Sequence, residues 1–277
     1  MAETFGVRLQ ERLRELGPLC VGVDPSTEVL TRWGRPDRVE GLEFCALAVL
    51  EAVTGVAAVI KPQVAFFERF GSAGFRVLER LIQEAHDAEL LVVADAKRGD
   101  VDSTNEGYAQ AWLRDGSPLA VDALTVHPYL GVAALRPLFE AAAASSRGVF
   151  VVAATSNPEG RSLQEARTFE QERVQEMVLR TISEINHGDD GLGSFGVVLG
   201  ATREAPAFDL ATMGGPYLVP GIGAQGAGVK DVARLFERCE QGTVLVNVAR
   251  AVLFAGPERR GLSDAARRWR DDLLDAL

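Results

Sequence analysis

One short stretch of the sequence, residues 94–100, carries two carboxylates and an ammonium group that could do chemistry: Asp95, Lys97 and Asp100. It follows the apolar run 90–93, which predicts a buried strand that ends in charge. Charges removed from water are costly unless they are paired or used. On this stretch alone two interpretations stay open, a solvated ion pair at a strand end and a functional site. Partners delivered by other strands to the same edge would favour the site.

The elements that must position these groups follow from hydrophobic periodicity. The predicted strands are Leu19–Val23, 56–60, 90–94, Ala123–Val126, 149–153, Phe195–Leu199, Tyr217–Val219 and 244–246. The predicted helices are Phe5–Leu16, 42–53, 73–88, 104–113, 132–144, 163–185, 205–213, 229–239 and 263–274. Eight strands alternating with helices predict an α/β fold, a (β/α)8 TIM barrel with an N-terminal helix, in one domain over residues 1–277. An open doubly wound sheet is the alternative.

Composition narrows the function classes. A formal net charge of -10 argues against a nucleic-acid or anionic-membrane partner, since both need a basic face. The three cysteines lack paired spacing and the N-terminus lacks a signal-peptide pattern, so we expect a cytoplasmic protein. None of the three histidines has a second ligand at metal-binding spacing, so we expect no metal site.

Polar residues follow nearly every predicted strand. In a barrel of this kind the carboxyl ends of the strands build the active site. The residues at these ends are Asp24, Lys61, Asp95 with Lys97, His127, 155–157, Thr202, the glycine-rich stretch 221–226, and Asn247 with Arg250. Solvation does not explain such a coincidence over most of the strands, and we expect one site at this rim.

The glycine-rich stretch, with Gly221, Gly223 and Gly226, precedes a predicted helix and resembles a phosphate-binding loop. Glycines let backbone N–H groups approach an anion, although an ordinary strand-to-helix turn would have the same composition. Arg250 after strand eight favours phosphate, because loops seven and eight commonly bind it in these barrels. The expected ligand class is a phosphorylated small molecule.

The sequence resembles the orotidine 5'-phosphate decarboxylase family, in the branch found in mycobacteria and related bacteria. The resemblance rests on Lys61, Asp95, Lys97 and Asp100 and on the sequence segments around them. The matching segments are 22–25 (Gly-Val-Asp-Pro), 61–68 (Lys-Pro-Gln-Val-Ala-Phe-Phe-Glu), 95–100 (Asp-Ala-Lys-Arg-Gly-Asp), 154–160 (Ala-Thr-Ser-Asn-Pro-Glu-Gly) and 219–226 (Val-Pro-Gly-Ile-Gly-Ala-Gln-Gly). They occur in order from strand one to strand eight and span nearly the whole chain.

The resemblance implies conversion of orotidine 5'-phosphate to UMP and carbon dioxide in pyrimidine biosynthesis, with no cofactor and with Lys97 protonating C6. It implies a catalytic tetrad of Lys61, Asp95, Lys97 and Asp100. Asp100 and Thr104 would come from the partner subunit of a homodimer with shared active sites. The implied substrate contacts are Asp24 and Lys61 to the ribose, Ser156 to the pyrimidine ring, and Gln225 and Arg250 to the phosphate.

Two positions depart from the family's pattern. His127 stands where the family usually has Asn, and Ala249 stands where it usually has Gly or Ser. Neither belongs to the tetrad, so the expected activity is unaffected.

Three alternatives remain at this stage. A magnesium-dependent sugar-phosphate decarboxylase or aldolase of the same superfamily would need extra carboxylates near strand two, where this chain has Lys61. A Schiff-base aldolase would use Lys61 or Lys97 as its nucleophile. A non-catalytic phosphate-binding barrel would keep the pocket without the chemistry.

Overall fold

A computed structural model describes residues 3–201, 206–223 and 228–277. Its eight strands are parallel and close into a barrel in chain order, which confirms the predicted fold class. The strands are β1 (Leu19–Val23), β2 (Val59–Pro62), β3 (Leu91–Arg98), β4 (Ala123–Val126), β5 (Gly148–Ala154), β6 (Phe195–Leu199), β7 (Tyr217–Val219) and β8 (Val244–Val248).

Helices surround the barrel and α1 precedes it. They are α1 (Phe5–Leu16), α2 (Thr27–Arg32), α3 (Val39–Val53), α4 (Ala65–Glu68), α5 (Gly71–Asp87), α6 (Asp102–Trp112), α7 (Arg136–Ala144), α8 (Arg161–Gln164), α9 (Val174–Ile185), α10 (Val229–Leu235), α11 (Arg250–Leu253) and α12 (Arg259–Leu274). Short 3-10 helices span Val132–Leu135, Pro158–Gly160 and Leu210–Thr212. No helix in these ranges combines the length and apolar character that a membrane crossing needs.

Two hydrophobic cores follow from strands that are buried on both faces. The larger core lies between the strands and the helices. The smaller core fills the barrel itself, where alternate side chains such as Cys20, Val59, Val93, Phe150 and Leu245 meet. Because the strand period is two, the residues that continue these inward rows emerge at the carboxyl-terminal rim.

Helix α1 closes the amino-terminal end of the barrel. Its buried residues Phe5, Leu9 and Leu13 belong to the inner core. Phe5 meets Phe150 edge-to-face with ring centroids 6.0 Å apart. A Cβ on Gly148 would lie 2.2 Å from the Phe5 ring, so this strand start must be glycine. The closed end leaves the opposite rim for ligand binding.

Two predicted helices are wrong in the structure. The segment 163–185 is not one helix, because Gln164 bonds back to Thr155 and a bridge between Arg167 and Arg173 separates α8 from α9. Of the predicted helix 205–213, the described part forms only the 3-10 turn Leu210–Thr212. In both segments tertiary contacts override the local periodicity.

Asp122, immediately before β4, joins three elements at the closed end. Its Oδ1 accepts from Arg8 Nη1 of α1 at 2.8 Å. Its Oδ2 accepts from Val92 N of β3 at 2.9 Å and lies 3.1 Å from His86 Nε2 of α5. Burial raises the pKa of Asp122, but these hydrogen bonds and the charge of Arg8 outweigh it and hold the pKa below its usual value.

Replacing Asp122 with Asn should lower the free energy of unfolding at pH 7 by about 2 to 3 kcal/mol, because Arg8 loses its charged partner. A depressed pKa in the folded state stabilises the fold above the unfolded-state pKa of about 3.9, and this stabilisation is lost as the pH falls further. Urea unfolding at pH 7 and at about pH 3 should therefore show the difference shrinking in acid. An equal loss at both pH values would contradict this assignment. Glu51→Gln, which removes an exposed pair with Arg259, is the control, with an effect below about 1 kcal/mol.

Candidate active site

The carboxyl ends of β1, β2 and β3 lie side by side and bring together the predicted site residues Lys61 and Asp95. Parallel pairing sets Gly22 opposite Lys61, and a bridge sets Gln63 opposite Asp95. Lys61 and Asp95 continue the inward rows of β2 and β3, so both side chains enter the barrel above its apolar core. Both residues are buried.

Four side chains, Lys61, Asp95, Lys97 and Thr125, form a hydrogen-bonded group that we term the Asp95 cluster. Lys61 Nζ donates to Asp95 Oδ2 at 2.7 Å. Lys97 Nζ donates to Asp95 Oδ1, and Thr125 Oγ1 donates to the same oxygen at 3.0 Å. The side chain of Lys61 is 3% exposed and that of Lys97 is 46% exposed, so Lys97 is the ammonium group open to a ligand.

The charges in the Asp95 cluster support one another. Burial opposes ionisation of both partners, yet the attraction of Asp95 and Asp24 raises the pKa of Lys61 above its usual range. The charges and hydrogen bonds of Lys61 and Lys97 likewise overcome burial and hold the pKa of Asp95 well below its usual range. Two ammonium groups around one carboxylate leave a positive charge, which can stabilise negative charge that develops on a bound molecule.

A bulge in β3 directs the side chain of Lys97 toward Asp95. The register with β4 shifts between Ala94 and Arg98, and Lys97 has a φ of 45°, a left-handed conformation that is uncommon outside glycine. Lys97 N donates to Thr125 Oγ1 at 3.0 Å, which anchors this backbone to β4. Thr125 therefore donates a hydrogen bond to the Asp95 carboxylate and accepts one from the backbone of Lys97.

Arg98 holds the same bulge from the helical side of the strand. Its guanidinium pairs with Glu68 of α4 and donates to Ala96 O at 3.2 Å. It also lies over the rings of Tyr108 and Trp112 of α6, 5.7 and 5.8 Å from their centroids. These contacts tie the strand end to two helices.

Asp24 stands beside the cluster with an unused acceptor. In the described ranges its Oδ1 is buried and has no hydrogen-bond partner. Burial raises the pKa of Asp24, while the charge of Lys61 opposes that rise. Arg69 holds the adjoining backbone, since its Nη2 donates to Pro25 O at 3.2 Å and pairs with Asp37 at 2.5 Å. A ligand hydroxyl would satisfy the Asp24 oxygen.

Asp100 and Thr104 lie outside the Asp95 cluster. Asp100 Oδ1 accepts from Val101 N at 2.8 Å, and Thr104 is exposed on the first turn of α6. In the described part of the chain, no ion pair joins Asp100 to Lys61 or Lys97. The structure of one chain therefore unites three members of the predicted tetrad and leaves Asp100 apart.

The predicted ring-binding residue, Ser156, follows β5 at the same rim and is half-buried. Its backbone packs against the end of β6, where a Cβ on Gly200 would lie 2.8 Å from Ser156 N. Gly200 N donates to Ala154 O at 2.9 Å and holds the two strand ends together. The close approach explains why this strand end is glycine.

The predicted phosphate residues are described only in part. Gly221 and Gly223 have φ values of 85° and 78°, which glycine adopts without strain. Arg250 begins α11 with an exposed side chain, and its charge acts on Asp24. Gln225 and Gly226 lie outside the described residues.

The two residues that depart from the family pattern, His127 and Ala249, each pack against a glycine. A Cβ on Gly99 would lie 2.6 Å from His127 O and 3.1 Å from His127 Nε2, so His127 packs directly over Gly99. A Cβ on Gly22 would lie 2.6 Å from the Cβ of Ala249. Both residues occupy space against a glycine of the rim.

Thr125 is a member of the cluster that was not predicted, although the sequence carries one signal for it. Thr125 is a polar residue at an inward position of the otherwise apolar β4, and it is fully buried. A buried hydroxyl needs a hydrogen-bond partner, which points to the charged strand end beside it. In residues 3–201, 206–223 and 228–277, no group of three His, Cys, Asp or Glu side chains could hold a metal ion.

Comparisons with known proteins identify related chains. Residues 17–264 match the model of the orotidine 5'-phosphate decarboxylase / HUMPS family. A relative from Salinispora tropica, named orotidine 5'-phosphate decarboxylase, is 50% identical over 275 residues and is covered over 99% of both chains. A relative of the same name from Streptomyces coelicolor is 47% identical over 276 residues, again with 99% of both chains covered.

Solved structures give the same result. A crystal structure of a provisionally assigned orotidine 5'-phosphate decarboxylase from Streptomyces avermitilis superposes with a TM-score of 0.95 at 48% identity, covering 99% of this chain and 96% of that one. The structure of Leishmania donovani OMP decarboxylase superposes with a TM-score of 0.76 at 27% identity, covering 99% and 98%.

Proposed function

This chain belongs to the orotidine 5'-phosphate decarboxylase / HUMPS family, and we propose that its catalytic residues are Lys61, Asp95, Lys97 and Asp100. The resemblance inferred from the sequence is thus confirmed. The reaction is the conversion of orotidine 5'-phosphate to UMP and carbon dioxide, a carboxy-lyase step of pyrimidine biosynthesis. The observation that carries the site assignment is the Asp95 carboxylate held between the ammonium groups of Lys61 and Lys97.

Lys97 is assigned the proton transfer. When the bond between C6 and the carboxyl carbon breaks, carbon dioxide leaves and the electron pair stays on C6, in the plane of the ring and outside its π system. The ammonium group of Lys97 stabilises this charge and then donates a proton to C6. Lys97 is left as a neutral amine and regains its proton from water. Its exposed side chain is open to the ligand for this role.

Asp95 is assigned two effects. Its hydrogen bond fixes the position of the Lys97 ammonium group. Its negative charge also lies where the substrate carboxylate would approach, and two such charges 4 Å apart repel by roughly 4 kcal/mol at an effective dielectric constant near 20. Loss of neutral carbon dioxide relieves that repulsion.

The remaining contacts hold the nucleotide. Asp24, with its buried unused oxygen, and Lys61 are assigned to the ribose hydroxyls. Ser156 is assigned to the ring, and the phosphate to Arg250 with the loop of Gly221, Gly223, Gln225 and Gly226. Because phosphate lies far from C6, its binding energy serves to align the substrate with Lys97.

Asp100 and Thr104 are assigned to the active site of a partner subunit. The loops that follow β3 and β4 carry exposed apolar residues, Val101 directly after Asp100 and Tyr129 with Leu130 shortly after His127, which we term the rim patch. The loops that carry it touch where His127 packs on Gly99. An apolar patch beside a charged residue with no ion-pair partner in the described part of its own chain suits a second copy related by a two-fold axis.

We assign the protein to the cytoplasm. The thiols of Cys20, Cys45 and Cys239 are free in the structure. Burial raises the pKa of Cys20 to about 12, so this thiol is unreactive. Free cysteines are typical of a reducing compartment.

The direct test of the function is an absorbance assay. Purified protein mixed with orotidine 5'-phosphate should convert it to UMP, with loss of the substrate's absorbance, at an unchanged rate in excess EDTA. Activity lost in EDTA and restored by magnesium would favour the metal-dependent alternative. Trapping of a substrate adduct by borohydride would favour a Schiff-base enzyme.

Lys97→Ala should abolish turnover while UMP binding stays measurable, because Lys61 continues to pair with Asp95 and the phosphate contacts remain. Single-turnover assays and calorimetric titration with UMP measure the two properties. Arg12→Ala, on α1 at the closed end of the barrel, is the control and should keep full turnover. Near-normal turnover of Lys97→Ala would refute the proton-donor role.

Lys97→Ala and Asp100→Ala homodimers should each be inactive, yet mixing them should restore about a quarter of wild-type activity. Half of randomly mixed dimers are heterodimers, and each has one site with both native residues. Activity after subunit exchange is the measurement. Heterodimers that form but stay inactive would show that Asp100 does not act across the interface.

A further inference from the structure

Asn105, in the first turns of α6, is fully buried and bonds the backbone of Asp100 on both sides. Its Oδ1 accepts from Asp100 N at 2.9 Å, and its Nδ2 donates to Asp100 O. The same Nδ2 donates to Ala134 O at 2.7 Å, in the 3-10 helix Val132–Leu135. One amide therefore joins the β3–α6 loop, α6 and the segment after β4.

The loop that Asn105 holds contains a strained residue close to Asp100. Asp102, at the start of α6, has a φ of 44°, and Val101 caps the helix without a side-chain hydrogen bond. Left-handed residues other than glycine persist only where surrounding contacts hold them. The Asn105 amide supplies such contacts two residues upstream of the strained position. It thereby sets the direction in which the chain leaves Asp100.

We infer that Asn105 is a positioning residue that presents Asp100 to the active site of the partner subunit, an inference that rests on the shared site proposed above. Asn105 bonds the backbone of Asp100 and leaves its carboxylate available. The rim patch lies on the same two loops, since Val101 follows Asp100 and Tyr129 and Leu130 precede the segment of Ala134. Asn105 thus aligns the carboxylate with the apolar surface that a second copy would cover.

This role predicts an effect in trans. Asn105→Ala should impair the site that receives Asp100 from the altered chain and spare the site in the altered chain's own barrel. Two heterodimers with the same two substitutions separate these effects. In the first, Asn105→Ala is on one chain and Lys97→Ala on the other. In the second, one chain carries both and its partner is wild type. Differently tagged chains purified over both tags give each heterodimer free of homodimers.

The single working site differs between the two heterodimers. In the first it combines Lys97 of the Asn105→Ala chain with Asp100 of a chain whose Asn105 is intact, and it should match a heterodimer of Lys97→Ala with wild type. In the second it receives Asp100 from the Asn105→Ala chain, and kcat should fall at least tenfold, with a smaller change in KM. Equal losses in both arrangements, or a greater loss in the first, would overturn the inference.

Two further variants separate positioning from general stability. Asn186 is a matched control, since this buried amide donates to Phe195 O at 2.7 Å and accepts from Phe195 N at 3.3 Å, far from Asp100. Asn186→Ala should lower the melting temperature and reduce activity equally in both arrangements, if at all. Asn105→Ser keeps a small hydrogen-bonding group and should show the same asymmetry with a smaller loss, which covers the case where Asn105→Ala does not fold.

Failure of the shared site itself would look different. If heterodimers of Lys97→Ala with Asp100→Ala are inactive, or if no dimer forms, the proposed trans role of Asp100 falls and the inference with it. If those heterodimers are active and the two Asn105 arrangements are equal, only the role of Asn105 is refuted.

Discussion

The structure of the site depends on one carboxylate, that of Asp95, held between two ammonium groups. A lysine as deeply buried as Lys61 keeps its charge only beside a negative partner, and the carboxylate keeps its own charge only because both lysines face it. The pairing therefore fixes the position of Lys97 Nζ in the absence of a ligand. A reaction whose difficulty is the charge left on one carbon needs a cation that is already in place.

The barrel assigns stability and chemistry to opposite ends. At the amino-terminal end, α1 inserts Phe5 into the inner core and Asp122 ties α1, α5 and β3 together. At the carboxyl-terminal end the inward rows change from apolar side chains to charged ones. That end holds several costly features: the left-handed backbone of Lys97, a buried Asp24 oxygen without a hydrogen-bond partner in the described part of the chain, and a bulged strand. The closed end supplies the packing that sustains them.

Under the shared site proposed above, a single chain lacks one group of its active site. Three groups of the tetrad converge within one barrel, while Asp100 lies three residues beyond Lys97 on a loop edged by exposed apolar side chains. If Asp100 serves a partner subunit as proposed, activity depends on association of two chains. Asn105 connects this group with the proposed interface by bonding the backbone that carries Asp100.

How far the sequence determined this protein depends on the range of the interactions concerned. Apolar runs and helical periodicity predicted eight strands and the barrel, and four strands have the predicted bounds, because continuous burial leaves a local signature. The polar residues that follow the predicted strands indicated one site at the rim, and this prediction included Asp24, Lys61, Asp95 and Lys97. Only the tertiary structure decided the break between α8 and α9, the bulge of β3, and the separation of Asp100 from the other three. It also assigned Thr125 and Asn105, because a buried hydroxyl or amide takes its role from partners that lie far away in the chain.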